Sequence, residues 1–216
     1  MCVICVKQKG IKMPSKSLIH DMWITNPHGC GYMINRNDKV LIRKGFMTEQ
    51  ELFESLEKDK VNQNDALVLH FRISTQAGIR KTMTHPFPFT SDLTKMEMLN
   101  AYTNIGIAHN GIIRITSNPF EKRYNDTAIF IAKYMTKIIH YYDDLKDETV
   151  INMLEKLTDS KLAILDKFGN ISLVGDFYED DGLLFSNLHH KKDLYKLIGM
   201  NSIYSSGKDL EDLWVE

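Results

Sequence analysis

Apolar residues in this chain occur mainly in short runs that are separated by turn-forming residues. The run at residues 2–6 predicts a strand, which ends before the turn-like sequence at Gly10. The runs YMIN and KVLIRK flank residues 36–38, and together they predict a hairpin. The nearly continuous apolar run ALVLHFR, at residues 66–72, predicts a strand that is buried on both faces.

The second half of the chain shows the same kind of pattern. The segment NIGIAHNGIIRIT, at residues 104–116, predicts two strands around a tight turn at Asn110 and Gly111. The segment KLAILDKFGNISLVGDF, at residues 161–177, predicts a hairpin around Gly169, and GLLFSN adds one more strand. Strands that are joined by such short turns favour antiparallel pairing.

Helical spacing of apolar residues marks several other segments. Residues 15–24 predict a short helix, and Thr48 followed by Glu51 has the pattern of a capping box at the start of the next helix. The cap-competent Asn125 begins a segment that predicts a largely buried helix, and another helix is predicted over residues 147–157. Because strands and helices are intermixed, the predicted class is α+β, with mostly antiparallel sheets covered by helices.

Composition narrows the class of protein without indicating its function. The chain of 216 residues favours one domain, 1–216, and its apolar (43%) and charged (25%) fractions are those of a soluble globular protein. A net charge of -1 favours neither nucleic acid nor a membrane as partner. Three cysteines cannot form a disulfide framework, and the apolar start is too short for a signal peptide. We therefore expect a cytoplasmic protein without a cofactor.

Cys2 follows the initiator methionine, which is normally removable when the next residue is small. Removal would leave a thiol and a free α-amine on one residue, and an α-amine has a pKa of ~7.7–8.0. Such a nucleophile carries its own base and needs no histidine partner. Cys2 and Cys5 also form a lone CxxC, but residues i and i+3 of a strand face opposite sides, so no metal site is predicted. A buried structural cysteine stays open as an alternative.

Four other residues have the chemistry that an N-terminal thiol would need. Attack on an acyl carbon creates an oxyanion, and Asn110 and Gly111 offer a side-chain amide and a backbone N–H to stabilise it. Arg72 lies near the end of a buried strand, so either an internal carboxylate or a ligand carboxylate pairs with it. Asp126 at a helix start is either a plain cap or a partner for a substrate ammonium group. Together, Arg72 and Asp126 would recognise an amino-acid head group.

Taken in order, these motifs resemble the class II glutamine amidotransferases of the N-terminal nucleophile (Ntn) hydrolase superfamily. The matching pieces are MC at the start, NPHGCGYMI (26–34), HFRISTQAG (70–78), THPF (84–87), AHNGII (108–113) and NDTAIF (125–130). The segments LAILDKFGNISLVGDF and GLLFSN are also similar to the hairpin and final strand of small stand-alone relatives. The resemblance runs from residue 2 to about residue 187.

The resemblance implies a fold and a catalytic group. The family fold is a four-layer αββα sandwich, in a single Ntn-type domain on which the C-terminal remainder of the chain would pack. Cys2 would be the nucleophile, and its α-amine would be the base and later the proton donor. Asn110 and Gly111 would form the oxyanion hole.

The resemblance also implies how a substrate would bind. Arg72 would bind the α-carboxylate of the substrate and Asp126 its α-ammonium group. Thr75 would lie near the side-chain pocket, and His85 would order the loop over the site. At Cys30 the family usually has tryptophan, and this smaller side chain would open that wall of the pocket.

Three functions stay open for a chain of this type. The first is hydrolysis of glutamine or a γ-glutamyl amide, with ammonia released or passed to a separate ammonia-accepting protein, because the Ntn domain leaves no room for a second catalytic domain. The second is hydrolysis of a different amide. The third is a catalytically inactive binding protein of the same fold. Stand-alone domains of this type also occur in large bacteriophages, and the Lys-, Asn- and Ile-rich composition suits such a source.

Overall fold

A computed structural model describes residues 2–73, 79–116 and 118–188, and these residues form an α+β fold with two antiparallel sheets. The strands are β1 (Val3–Lys7), β2 (Cys30–Arg36), β3 (Lys39–Phe46), β4 (Leu67–Phe71), β5 (Phe87–Pro88), β6 (Asn100–Thr103), β7 (Ile105–Asn110), β8 (Lys161–Asp166), β9 (Ile171–Val174), β10 (Tyr178–Asp180) and β11 (Leu183–Phe185). The helices are α1 (Lys16–Thr25), α2 (Glu49–Lys58), α3 (Asp126–Phe130), α4 (Thr136–Ile138) and α5 (Glu148–Thr158).

Within the described residues, the larger sheet has seven strands in the order β10-β11-β1-β4-β2-β3-β6. The smaller sheet has four strands in the order β5-β7-β8-β9. The predicted hairpin at residues 36–38 is confirmed as the connection between β2 and β3. Asn37 and Asp38 both have positive φ, of 53° and 54°, which is the backbone geometry of a type I′ turn.

Both faces of β1 and β4 are covered, so the prediction of a doubly buried strand at residues 66–72 is confirmed. Successive side chains of a strand point to opposite faces, and those of β4 alternate between two different cores. Ile4 and Val68, from the larger sheet, share one core with Ala108 and Leu165, from the smaller sheet.

Helices pack against the two remaining sheet faces. On the larger sheet, Met22 of α1 and Leu52 of α2 lie in one core with Leu69 of β4. On the smaller sheet, Ile107 of β7 shares a core with residues of α3 and α5, among them Leu154. Burial of one such side chain stabilises the fold by roughly 1.5–3 kcal/mol.

Local sequence signals locate most helix starts. The capping box of Thr48 and Glu51 at the start of α2 is confirmed, with both of its hydrogen bonds formed. The helix predicted over residues 147–157 is α5. The long buried helix predicted from Asn125 is instead interrupted, since the π-helical segment Ile131–Met135 separates α3 from α4. In the described part of the chain, no helix combines the length and the apolar character needed to cross a lipid bilayer.

One predicted hairpin is wrong. The chain does not turn back into a second strand after Asn110, because residues 112–116 form no strand. The reason lies in the neighbours of β7, which pairs with β8 on one side and with β5 on the other. Both partners come from distant parts of the sequence, so the segment after Gly111 leaves the sheet.

Candidate active site

A cleft of about 360 Å³ lies where the start of β1 meets the end of β7. The described residues that line it are Cys2, Ile73, Asn110, Gly111, Ile112, Arg114, Leu157, Thr158 and Asp159. The list includes the nucleophile and the two oxyanion-hole residues that the resemblance implied. Because β1 and β7 belong to different sheets, only the packing of the two sheets brings these three residues to one cleft.

Cys2 directly precedes β1 and is partly exposed. Its Sγ donates to the carbonyl oxygen of Ile73 at 3.6 Å, and its own carbonyl oxygen accepts from Nδ2 of Asn187 at 2.6 Å. Burial raises the pKa of the Cys2 thiol, and the positive charge of Arg72 opposes this shift. A thiol with a raised pKa is protonated near neutral pH, so it needs a base before it can attack a substrate.

The other two cysteines lie in the core and do not line the cleft. Cys5 and Cys30 are 1% and 0% exposed, and burial raises the pKa of both thiols. The expectation that Cys30 opens a wall of the pocket is therefore wrong, because β2 directs its side chain into the core beneath α1 and α2. Among the described residues, no group of three or more His, Cys, Asp or Glu side chains is arranged so that it could hold a metal ion.

Asn110 and Gly111 end β7 at the cleft. Asn110 is 3% exposed and its Nδ2 donates to Oγ of Ser186 at 3.0 Å. Its Oδ1 is buried and has no hydrogen-bond partner among the described residues. Gly111 has a φ of +145°, and a Cβ at this position would lie 2.4 Å from Cβ of Ser160. Only glycine fits here, which leaves the backbone close to the cleft.

Arg72 follows β4, and its backbone pairs with residues 28–29, which precede the neighbouring strand β2. Its backbone N–H donates to the carbonyl oxygen of Gly29 at 2.9 Å, and its carbonyl oxygen accepts from His28 at 2.9 Å. Burial lowers the pKa of the Arg72 guanidinium, and the Cys2 sulfur, when it is ionised, and the Asp126 carboxylate oppose this shift. The two charged residues of the predicted head-group site are therefore within electrostatic reach of each other and of the thiol.

Asp126 is the first residue of α3, and its neighbour Asn125 is the cap. The Asn125 side chain accepts from the N–H of Ala128 at 2.9 Å, so Asp126 is not needed as the cap. Instead Oδ2 of Asp126 accepts from the N–H of Ile113 at 2.6 Å, and Oδ1 accepts from the N–H of Thr127 at 2.8 Å. Asp126 thereby fixes the segment that follows Asn110 and Gly111.

His85 belongs to a buried polar network behind the cleft. Its Nε2 lies 3.2 Å from Oγ1 of Thr127, and the same oxygen lies 2.7 Å from Nδ1 of His109. Nε2 of His109 lies 2.7 Å from Oγ of Ser160, and Nε2 of His70 lies 3.0 Å from the His109 carbonyl oxygen. Burial lowers the pKa of His70 to about 3 and that of His109 to about 4, so both rings are neutral near neutral pH.

The structure separates the predicted site residues into two groups. Cys2, Asn110 and Gly111 line the cleft, whereas Arg72, Asp126 and His85 are not among its described lining residues. Thr75 lies outside the described residues, and so does the C-terminal remainder from residue 189. For these positions the roles implied by the resemblance stay predictions.

Sequence reasoning missed the far wall of the cleft. That wall is formed by Ile112 and by the end of α5, where Leu157 and Asp159 lie. Leu157 is 52% exposed and Ile112 is 64% exposed, so two apolar side chains face solvent beside the thiol. The local pattern gave no signal for this, because Leu157 has the spacing of an ordinary apolar helix residue.

Comparison with models of protein families gives no match to this chain, and no curated protein sequence matches it. A proposal about function therefore depends on the ordered motifs and on the geometry of the cleft.

Proposed function

We propose that this chain is an N-terminal-cysteine amidohydrolase of the class II glutamine amidotransferase type. Its substrate is glutamine or a γ-glutamyl amide, from which it releases ammonia or an amine. One observation carries the proposal: Cys2, Asn110 and Gly111, which come from two different sheets, line the same cleft. A nucleophile beside two candidate oxyanion donors is the arrangement that acyl transfer requires.

The arrangement of the cores supports the same proposal. One core contains side chains of both sheets, and the two other cores contain one sheet face each together with helices. This arrangement supports the proposal that the fold is an αββα Ntn-hydrolase sandwich. Because one fold can support many different functions, the residues of the cleft support the proposed function more strongly than the fold does.

In the proposed first step, removal of Met1 frees the α-amine of Cys2, and this amine accepts the proton of Sγ. The base is needed because burial raises the pKa of the thiol. The resulting thiolate attacks the γ-amide carbon, and the carbonyl oxygen becomes an oxyanion that accepts from the Gly111 N–H and the Asn110 side-chain amide. The protonated α-amine then donates its proton to the leaving nitrogen, and ammonia or an amine departs from a γ-glutamyl thioester.

In the second step, water replaces the departed amine. The free α-amine of Cys2 accepts a proton from this water, and the hydroxide attacks the thioester carbon to form a second oxyanion in the same place. The C–S bond breaks, the sulfur regains a proton from the α-ammonium group, and glutamate leaves. Arg72 and Asp126 would orient the substrate through its α-carboxylate and α-ammonium groups, as bidentate and charge-assisted contacts do.

Two measurements on the purified protein test the proposal together. Intact-mass analysis is expected to show a chain without Met1, and an assay with glutamine and a panel of γ-glutamyl amides is expected to show release of glutamate. The matched control is Cys2→Ser, which changes one side-chain atom and should lose turnover while its thermal unfolding midpoint stays near that of the parent. A chain that begins at Cys2 and hydrolyses none of these amides would instead support the binding-protein alternative.

Trapping by a glutamine-analogue electrophile locates the nucleophile directly. The expected product is a single adduct on the peptide that contains Cys2. Cys5 and Cys30 are internal controls within the same molecule, because both are buried and have raised thiol pKa values. An adduct on either of them, with Cys2 unmodified, would contradict the assignment of the nucleophile.

A further inference from the structure

Ser186 follows β11 and forms hydrogen bonds to β1, β7 and β8. Its N–H donates to the Ile4 carbonyl oxygen at 3.0 Å, and its Oγ accepts from the Ile4 N–H at 2.9 Å. The same Oγ lies 3.0 Å from Nδ2 of Asn110, and the Ser186 carbonyl oxygen accepts from Nζ of Lys161 at 2.9 Å. Ser186 is fully buried, so the backbone of β1 fixes its hydroxyl group against the Asn110 carboxamide.

Among the described residues, one hydrogen-bond donor of Ser186 and one acceptor of Asn110 have no partner. Oγ of Ser186 accepts twice, from Ile4 and from Asn110, and its hydroxyl proton is directed to no acceptor. Oδ1 of Asn110 is buried without a donor. A half-turn of the carboxamide about its Cβ–Cγ bond gives Oδ1 the Ser186 hydroxyl as a donor, while Oγ still accepts from Ile4. The N–H₂ group then takes the former place of Oδ1, where it has no acceptor among the described residues.

The half-turn also decides what Asn110 offers to a reaction intermediate. With Nδ2 on Ser186, the opposite end of the carboxamide is a carbonyl oxygen, which repels an oxyanion. With Oδ1 on Ser186, that end is an N–H₂ group on a residue that lines the cleft beside Gly111. An oxyanion hole needs donors at that place.

We propose that Ser186 is a positioning residue: its hydroxyl donates to Oδ1 of Asn110 and thereby keeps the Asn110 N–H₂ group available to the oxyanion. The proposal rests on the proposed function for its catalytic consequence. The hydrogen bond itself, from a buried hydroxyl to a buried carbonyl oxygen, can be tested without any substrate. Nothing in this role requires Ser186 to contact the substrate.

A double-mutant cycle tests the catalytic consequence. Ser186→Ala is expected to lower kcat about tenfold with KM unchanged, less than the 10²–10³-fold typical when an oxyanion donor is removed outright. In an Asn110→Ala background the same Ser186→Ala change should have no further effect on kcat, because the carboxamide that Ser186 positions is already absent. A loss of the same size in both backgrounds would show a general structural role and overturn the proposal.

Nuclear magnetic resonance of the Asn110 side chain tests the hydrogen bond in active or inactive protein alike. If Ser186 donates to Oδ1, Ser186→Ala should move the Asn110 ¹³Cγ resonance while the Nδ2 protons move little. Movement of an Nδ2 proton with an unchanged ¹³Cγ would mean that Ser186 accepts from Asn110, and would overturn the proposal. An inactive protein with the expected ¹³Cγ shift would refute the proposed function and leave the role of Ser186 in orienting Asn110 supported.

Discussion

The buried polar groups at the two ends of β1 differ in how completely their hydrogen bonds are satisfied. At the C-terminal end, Lys7 is fully buried, and burial lowers the pKa of its ammonium group. This group donates at 2.7–3.2 Å to four backbone carbonyl oxygens, those of Gln8, Ile11, Gln63 and Asp65. An ammonium group has three protons, so the backbone uses its whole hydrogen-bonding capacity. At this end of the strand, the buried charge stabilises the fold by joining four backbone positions.

At the N-terminal end, the polar groups retain capacity. One end of the Asn110 carboxamide has no partner among the described residues, and in the orientation proposed above this end is the N–H₂ group. Cys2 is partly exposed beside the charge of Arg72. Unmet capacity at a buried group costs stability unless a ligand or an intermediate uses it. The comparison shows that two buried polar residues can differ in how much of their hydrogen-bonding capacity the fold uses.

Replacement of Asn110 by alanine would give the largest effect at the cleft. We expect kcat to fall about 10²–10³-fold, since one of two oxyanion donors is lost. The unfolding midpoint should change little, because the residue makes one described side-chain hydrogen bond. Steady-state kinetics and thermal unfolding measure both quantities, and an unchanged kcat would remove Asn110 from the oxyanion hole.

Arg72→Lys would test the head-group site. A lysine keeps the charge but cannot form two parallel hydrogen bonds to a carboxylate, so KM for glutamine should rise about 10–100-fold. The matched substrate is a γ-amide that lacks the α-carboxylate, for which the parent and the variant should have similar kcat/KM. If the substitution lowers kcat/KM equally for both substrates, Arg72 does not bind the carboxylate.

Lys7→Met would test the structural end of the same strand. The change leaves several buried carbonyl oxygens without a donor, which should lower the free energy of unfolding by about 1–3 kcal/mol. The folded protein should keep its kcat, and Lys9→Met, at an exposed position two residues later, is the control. Urea denaturation with kinetics on the folded fraction separates the two effects.

The buried histidines predict how stability depends on pH. His70 and His109 have pKa values of about 3 and about 4 in the fold, below the ordinary value of 6.5. The unfolded chain therefore binds protons first, so stability is complete above pH ~6.5 and falls as the pH decreases toward these lower values. Each histidine contributes at most about 1.4 kcal/mol per pH unit, and urea titrations between neutral and mildly acidic pH measure the slope.

Replacement of a buried histidine tests the origin of that slope. His70→Asn should reduce the pH dependence, because the variant lacks a ring whose pKa is lowered by burial. A slope that stays the same after replacement of the buried histidine would show that other groups, such as carboxylates, cause the loss of stability.

Local signals in the sequence were reliable where the structure is itself local. The turn between β2 and β3 and the capping box at Thr48 depend on residues within a few positions of each other, and both were predicted correctly. The hairpin predicted at Asn110 was wrong because the partners of β7 are distant in the sequence. An Asn-Gly pair favours a hairpin, but β8 and β5 already occupy the edges of β7.

The candidate site was predictable only in part. Ordered motifs were enough to select Cys2, Asn110 and Gly111, because each residue type has a distinct chemical use. Nothing local indicated that the end of α5 would form the opposite wall, or that Ser186 would contact the Asn110 carboxamide.

By itself, the sequence determined the α+β class, the positions of most strands and helices, and a short set of candidate residues for acyl transfer. These follow from periodicity, turn chemistry and side-chain reactivity, which act over a few residues. Only the tertiary structure decided that Cys2 and Asn110 share a cleft, that Cys30 belongs to the core, and that Asp126 anchors the chain after Gly111. The physical reason is that sheet pairing and core packing join distant residues, and the sequence pattern does not record those partners.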